Sequence, residues 1–353
     1  MIQDDEIRNV FVGVDTHAMT HHCAVVDALG RALGDHEFPA DPAGYLALLA
    51  WIRTFGVVGS AGVEGTGSYG AELGRVLAAA GVVVLEVDRP DRASRRAKGK
   101  TDPLDAYAAA RAVASGRATG VPKSRDGIVE SIRCLRVARR SAVKAKTQCI
   151  NQIRGMLVNG PADLREQMKG LSTTRMVRVL GRLRPGTDLA APATACRRAI
   201  RSLARRHLSL TDEIRKLDQG LAELTATAAP GLLAKPGVGV EVAAQLLITA
   251  GDNPHRLRSE ASFAHLAGVA PVPASSGQRN RHRLNRGGDR GANNALYTVA
   301  LVRMRSDERT RAYVLRRTAD GLSKKDIMRC LKRAIAREIY RELTRPTDVI
   351  SAA

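Results

Sequence analysis

The sequence predicts an α/β head, followed by a long pair of helices and a mostly helical C-terminal body. Three observations point there. Residues 10–38 hold three β-rich stretches in succession, residues 130–158 and 197–226 carry apolar residues in alternating steps of three and four, and residues 228–345 read as helices broken by loops. In the head, Val10–Asp15, His21–Asp27 and Arg31–Phe38 are separated by short polar or Leu29-Gly30 turns, as in an antiparallel meander. Asp41-Pro42 opens a helix with apolar spacing at Leu46, Leu49 and Ile52. Ala61–Glu64 reads as a short buried strand, Gly65–Gly70 as a turn into a helix through Leu73, Val76 and Leu77, and Val82–Val87 as another strand. Thr101 is the expected N-cap of a helix over Leu104–Ala114, with Pro103 in its first turn.

Beyond the head, Ile132, Leu135, Ala138, Ala142, Ala145, Cys149, Ile153 and Met156 form one seam. Ile200, Leu203, Leu210, Ile214, Leu217, Leu221 and Leu224 form a second, interrupted by His207. Such seams predict an antiparallel helical pair or coiled coil. Residues 160–195 are punctuated by Gly and Pro and yield no clear pattern, and residues 322–345 predict a basic terminal helix. The expected division is 1–118, 125–227 and 228–353.

The 353 residues carry 56 Lys and Arg against 35 Asp and Glu, a net charge of +21. That surplus predicts a polyanionic partner. Its distribution is uneven. Residues 1–115 hold 11 basic and 15 acidic side chains, net −4, whereas the remainder holds 45 and 20, net +25. Aromatic residues make up 3%, which argues against base-stacking platforms for single strands. No apolar run is long enough for a membrane span, and the acidic start, MIQDDEIRNV, does not read as a signal peptide. Five dispersed cysteines without a C-x-x-C pattern predict reduced thiols and a cytoplasmic setting.

Four carboxylates in the head stand out. Asp15 ends the first strand, Glu64 ends the fourth, and Asp102 and Asp105 lie three apart at a helix start, on one face. Carboxylates at adjacent strand ends, joined by an i, i+3 pair on a docked helix, can converge on divalent cations, as phosphodiester chemistry requires. The alternative is that Asp15 and Glu64 are turn residues and Asp102 a charge favoured by the helix dipole. Gly65-Thr66-Gly67-Ser68-Tyr69-Gly70 also fits the G-x-G-x-x-G dinucleotide fingerprint, with Glu86 and Asp88 about 20 residues on where a ribose-binding acid belongs. Three features oppose that assignment: it is not in the first strand–helix unit, a carboxylate directly precedes it, and the body is strongly basic. His21-His22-Cys23 is read as structural, because neighbours on a strand point to opposite faces.

In the body, Lys235-Pro236-Gly237-Val238-Gly239 followed by Val242–Ile248 resembles a helix-hairpin-helix turn, whose backbone N–H groups at a helix start would grip phosphate. A plain helix connection fits equally. Ser275-Ser276-Gly277 precedes Arg279, Arg281, Arg283, Arg286 and Arg290. Serines in a small-residue turn ahead of arginine forks suit a nucleophilic hydroxyl or a phosphate cradle, while a solvated basic loop is the alternative. Lys324, Lys325 and Arg329, with Lys332 and Arg333, make the last helix a backbone-contacting candidate.

GVDTHAMTHHCAVVD (13–27), GVEGTGSYG (62–70), KTDPLDAYAAARA (100–112), KPGVGVEVAAQLL (235–247), GVAPVPASSGQRNRHRLNRGGDRGANNALYTVALVRM (268–304) and AREIYREL (336–343) together resemble the one-ten family of bacterial insertion-sequence transposases. The motifs run in the family's order across nearly the whole chain. The resemblance implies an RNase H/RuvC-like N-terminal domain, with Asp15, Glu64, Asp102 and Asp105 as the DEDD ligands of Mg2+ (two ions, Mn2+ as alternative). It also implies a C-terminal transposase domain in which Ser276, or alternatively Ser275, is the nucleophile that forms a phosphoserine link. The implied partners are donor and target double-stranded DNA, a structured non-coding guide RNA and further copies of the chain, as dimer or tetramer. By analogy with other RNA-guided enzymes, base pairing then reads sequence while the protein reads shape and backbone. Two rivals remain at this point: a RuvC-like structure-specific nuclease without a serine step, and a non-catalytic nucleic-acid-binding protein.

Overall fold

The computed structural model describes residues 9–87, 101–275 and 282–345. The chain divides into two compact units, one of Met1–Asp126 with Ala250–Arg258, the other of Gly127–Thr249 with Ser259–Ala353. Ser276, Arg279 and Arg281 lie outside the described residues.

The N-terminal unit is built on a five-stranded sheet in the order β3-β2-β1-β4-β5. Strands β1 (Asn9–Thr16), β2 (Thr20–Asp27) and β3 (Ala32–Pro39) form the expected antiparallel meander. Strands β4 (Val57–Glu64) and β5 (Val84–Val87) continue it on the other side, parallel to β1. Strict alternation governs β1: Val10, Val12 and Val14 are fully buried on one face, with Ala61 and Val63 of β4 beside them. That face is covered by helices α1 (Pro42–Arg53) and α2 (Ala71–Ala79) through Tyr45, Leu48, Ile52, Leu73 and Leu77. Helix α1 begins where expected, with the Asp41 carboxylate accepting from the Gly44 N–H at 2.7 Å. Its register differs from expectation: Leu46 is 63% exposed, and Tyr45 and Leu48 face the sheet with Leu49 and Ile52. The β2–β3 turn is locked by Asp27, whose carboxylate accepts from the Leu29 and Arg31 N–H groups and pairs with the Arg31 guanidinium at 2.6 Å. Burial opposes its charge, but the hydrogen bonds from Arg31 and Leu29 prevail and hold its pKa at about 2. The opposite face of the sheet carries helix α3 (Asp102–Ala114).

In the C-terminal unit, the two long seams form helices α4 (Ile128–Asn159) and α7 (Pro192–Ala228). They run antiparallel, as Arg139 pairs with Asp218 near one end and Gly160 approaches Cys196 at the other. The unreadable segment between them contains two short helices, α5 (Ala162–Met168) and α6 (Thr173–Gly181). Leu164, Met168, Val177 and Leu180 from these pack on Ile153, Ile200 and Ala204. Ile200, His207, Ile214 and Leu221 recur every seven residues along α7 and are all buried, so the interrupting histidine sits inside the seam. Helices α8 (Pro230–Leu233), α9 (Val240–Ala250) and α10 (Glu260–Leu266) follow, then a hairpin of β6 (Pro271–Pro273) and β7 (His282–Leu284). Helices α11 (Arg290–Ser306), α12 (Glu308–Ala319) and α13 (Lys324–Leu343) complete the unit. Among the described residues, no helix is long and apolar enough to cross a membrane.

Candidate active site

Glycine decides how closely α3 lies on the sheet. Gly13 of β1 and Gly62 of β4 are register partners, and a Cβ on Gly13 would stand 2.1 Å from the Ala106 carbonyl and 2.2 Å from the Ala110 nitrogen. On Gly62 it would stand 2.5 Å from a Val113 methyl and 3.0 Å from the Ala109 carbonyl. The helix backbone therefore rests directly on the strands, through the small residues Ala106, Ala109 and Ala110. Asp15 follows Gly13 by two positions and Glu64 follows Gly62 by two, so both carboxylates rise from the α3 face. With Val14 opposite Val63 in the parallel register, they occupy equivalent places at neighbouring strand ends.

Two contacts fix α3 laterally. The Tyr107 hydroxyl donates to Asp35 of β3 at 2.9 Å, and Asp35 also pairs with the His22 ring at 2.7 Å. Burial and the Asp35 hydrogen bond push the Tyr107 phenol up to about 12, so it stays a donor at neutral pH. The Arg111 guanidinium donates to the Gly30 carbonyl at 3.0 Å. His22 is thus part of the clamp, while His21 stacks on Tyr45 and Cys23 lies in the core, as the structural reading of that trio requires.

At the docked helix start, ligand atoms of Asp15, His17 and Asp102 lie within 4.8 Å of one another. The His17 Nε2 is 3.2 Å from Asp15 and 3.4 Å from Asp102. Asp15 is 6% exposed, and its hydrogen-bond partner among the described residues is that imidazole. Among the described residues no guanidinium or ammonium pairs with Asp15, and a nearly buried carboxylate is costly unless a cation neutralises it. Two carboxylates and an imidazole, open on the Asp102 side, are a donor set suited to a hard divalent ion. Glu64 and Asp105 are not members of this trio. Glu64 is half-buried at its strand end, where its carbonyl accepts from the Thr16 hydroxyl at 2.8 Å, and Asp105 is buried within the first turn of α3. His17 was not singled out in the sequence, although two-residue alternation from Asp15 would have placed it on the same face.

The glycine-rich turn serves the strand end. Gly65 adopts φ +68°, which a side chain rarely tolerates, and a Cβ on Gly70 would press on Val63 and the Glu64 carbonyl. Glu86, the expected ribose acid of a dinucleotide site, accepts from the Thr66 hydroxyl at 2.9 Å and so braces the turn.

In the C-terminal unit the basic candidates separate. Arg283, Arg286, Arg290, Lys324 and Lys325 are exposed, and Ser275 is exposed just beyond β6. Arg329 is exposed but pairs with Asp326 at 2.8 Å. Lys235 pairs with Glu342 of α13 at 3.1 Å, and Gly237, at φ +76°, packs against Val299 and Val302 of α11. Gly239 has open space around its Cα, and its carbonyl receives the Ala243 N–H at the start of α9. A buried network missed in the sequence steadies the start of α11. Asp289 caps it at Gly291 and Ala292 and accepts from Thr249 at 2.7 Å, while Gln245 joins Thr249 to Arg136.

Comparison with known proteins is consistent along the chain. Residues 12–160 match a DEDD-type IS110 family model described as Transposase, and residues 230–315 match the model of the Transposase IS116/IS110/IS902 family. The chain is 26% identical over 366 residues to the Insertion element IS900 uncharacterized 42 kDa protein of Mycobacterium paratuberculosis, covering 88% of this chain and 90% of that protein. It is 39% identical over 93 residues to the Insertion element IS110 uncharacterized 43.6 kDa protein of Streptomyces coelicolor, covering 26% of this chain and 23% of that protein.

Proposed function

The chain belongs to the IS110 family of insertion-element transposases and is a DNA transposase/recombinase; from that premise we propose that it cleaves and rejoins DNA with Mg2+ held by Asp15, Glu64, Asp102 and Asp105. One observation carries this reading: Asp15 and Glu64 stand at neighbouring parallel strand ends on the face where Gly13 and Gly62 seat the helix bearing Asp102 and Asp105. The four carboxylates suit two Mg2+ ions, with Mn2+ as a substitute, and the His17 imidazole beside Asp15 and Asp102 is a further donor. A bound divalent ion supplies Lewis-acid polarisation of the phosphodiester and charge stabilisation at its oxygens. The sheet order, a meander flanked by two parallel strands with helices on both faces, supports a RuvC-like assignment of this unit.

In this proposal a serine of the Ser275-Ser276-Gly277 turn, Ser276 first and Ser275 second, supplies the nucleophile. Its Oγ forms a bond to phosphorus as the strand's P–O bond breaks; the hydroxyl proton is released, and the leaving oxygen takes one up. A hydroxyl of the incoming strand then attacks the phosphoserine, which restores the serine and rejoins DNA without an external energy source. Arg283, Arg286, Arg290, Lys324, Lys325 and Arg329 hold phosphates, with Arg279 and Arg281 from the same basic stretch and the Lys235–Gly239 turn beside them. A structured non-coding RNA guides target and donor choice, and the chain works as a homo-oligomer joined through α4 and α7. The scarcity of aromatic residues supports leaving sequence reading to base pairing.

Strand cleavage of an element-end DNA in Mg2+ tests this. Asp15→Asn is expected to lower the rate by at least about 100-fold, more than an outer-sphere partner is worth. A protein–DNA adduct that survives denaturation is expected in wild type and absent from Ser276→Ala. Cleavage by the wild type with no adduct, or cleavage and rejoining undiminished when Ser275 and Ser276 are both replaced by Ala, would remove the serine step and leave the nuclease reading.

A further inference from the structure

Helix α13 carries two distinct faces. Ile327, Leu331, Ile335, Ile339 and Leu343 recur every four residues and are buried, which fixes the helix against the body of its unit. Arg329, Lys332, Arg333 and Arg337 share a neighbouring stripe, and all four line one cavity of about 870 Å3. Arg283 of β7 faces the same space. Val269, Ala270 and Pro271 with Ala334 of the helix give the cavity an apolar stretch of wall, and His282, Asn285, Asp326 and Cys330 complete the lining.

The charges in this cavity are under-compensated. Glu260 is shared between Arg333 and Arg337, and Asp326 is taken by Arg329. Among the described residues, no carboxylate is paired with Lys332. Its ammonium donates to the Asn293 Oδ1 at 3.0 Å, and that amide is itself locked, its Nδ2 donating to the carbonyls of Ala267 at 3.1 Å and Gly268 at 2.9 Å. A half-buried ammonium held in place by a neutral amide, with burial and Arg329 lowering its pKa, is stabilised by any anion that enters. Gly268, at φ +65°, and Gly288, at φ +101°, allow the loops beneath to close tightly enough to form the floor.

We propose that this cavity binds one unpaired nucleotide of a nucleic-acid strand, its phosphate on Lys332 and its base against the Val269–Pro271 wall. The volume lies in the range of small-ligand sites. A duplex presents its phosphates along a convex ridge and needs a surface, whereas a concave space with cations on one side and carbon on the other matches a single extruded nucleotide. The Val269–Pro271 wall runs into β6, whose last residue, Pro273, precedes Ser275 by two positions in the chain. This inference rests on the nucleic-acid reading above, and it adds Lys332, Arg333, Arg337 and Asn293 to the groups that handle the strand.

Fluorescence anisotropy of the full chain with short single-stranded DNA, single-stranded RNA and blunt duplex DNA tests it, using Lys332→Gln and Ala334→Trp. Ala334 is exposed on the cavity side, so tryptophan there fills the space without altering charge. Both substitutions are expected to weaken single-strand binding roughly tenfold, the scale of one charge-assisted contact, with duplex binding within about twofold. Lys332→Gln should also lower the salt slope by about one, and Ala334→Trp should not. The strand type showing the larger loss identifies DNA or RNA as the source of the nucleotide. Unchanged single-strand binding by a normally melting Ala334→Trp protein, or equal losses on single strands and duplex, would overturn the proposal. So would a wild-type chain that binds no single strand; Asp15-dependent cleavage of duplex ends would then leave the proposed function standing without this pocket.

Discussion

Asp15 owes its position to a residue that carries no side chain. Gly13, two places earlier, lets Ala106 and Ala110 of α3 come within contact distance of the strand, and so brings the helix start with Asp102 to His17 and Asp15. Gly13→Ala would drive a Cβ into the helix backbone at 2.1 Å. The expected result is a stability loss of about 1–3 kcal/mol from overpacking. An ångström-scale lift of Asp102 and Asp105 would further lower metal-dependent cleavage by about 100-fold. Gly155→Ala, at an open helical position, is the control and should gain about 0.5–1 kcal/mol in thermal melts. Asp15, Glu64, Asp102 and Asp105 stood out as candidates because a lone carboxylate at the end of an apolar run, or in a helix's first turn, is conspicuous; of these, Asp15 and Asp102 meet at His17. His17 escaped because a histidine just past a strand looks like a turn residue. The seating role of Gly13 and Gly62 was invisible, since a glycine in a strand says only that something comes close, not what.

At the scale of elements, the meander and the long helices α4 and α7 could be read from periodicity, and α3 from Thr101 and Pro103 at its start. What could not be read depends on packing partners distant in the chain. The α1 register was expected through Leu46, Leu49 and Ile52; the last two are buried, whereas Leu46 is exposed and Tyr45 instead faces the sheet, stacked on His21 of β2. Helices α5 and α6 were hidden by Gly and Pro and by their shortness; they are held by the apolar faces of α4 and α7. His207 looked like an interruption and is buried within the seam. It and His21 have pKa values lowered from the ordinary 6.5 by burial, with Lys146 acting in the same direction on His207. A folded pKa below the unfolded one means that the unfolded chain protonates first as pH falls. Their contribution to stability is therefore complete above 6.5 and is lost on going down toward the folded pKa. Thermal melting between about pH 7 and pH 5 should show Tm falling with pH in wild type. His21→Leu and His207→Leu should each flatten that slope; a slope untouched by either would show that neither buried ring titrates in the unfolded chain alone.

Across the whole molecule, the net +21 resolves into an acidic N-terminal stretch and a strongly basic remainder. Only the second has the charge to hold polyanions, whereas the first has the carboxylates to hold cations. Hydrogen bonds spanning more than a hundred positions also attach residues 250–258 to the N-terminal unit: Asn253 bonds the Ser124 N–H and the Pro122 carbonyl, and Arg256 the Val121 carbonyl. No local pattern announces such a return of the chain. DNA affinity should fall steeply with salt, and the slope of log K against log salt should drop by about one for each of Arg283→Gln, Arg286→Gln and Lys325→Gln. A slope indifferent to all three would remove them from the backbone contacts. The carboxylate centre is tested most directly by Mn2+ titration of the full-length protein, followed by electron paramagnetic resonance, in wild type, Asp15→Asn and Asp102→Asn. The expected result is stoichiometric binding in wild type, weakened by at least about tenfold in both variants at unchanged Tm; equal Mn2+ binding by all three proteins would contradict the assignment of Asp15 and Asp102 as metal ligands.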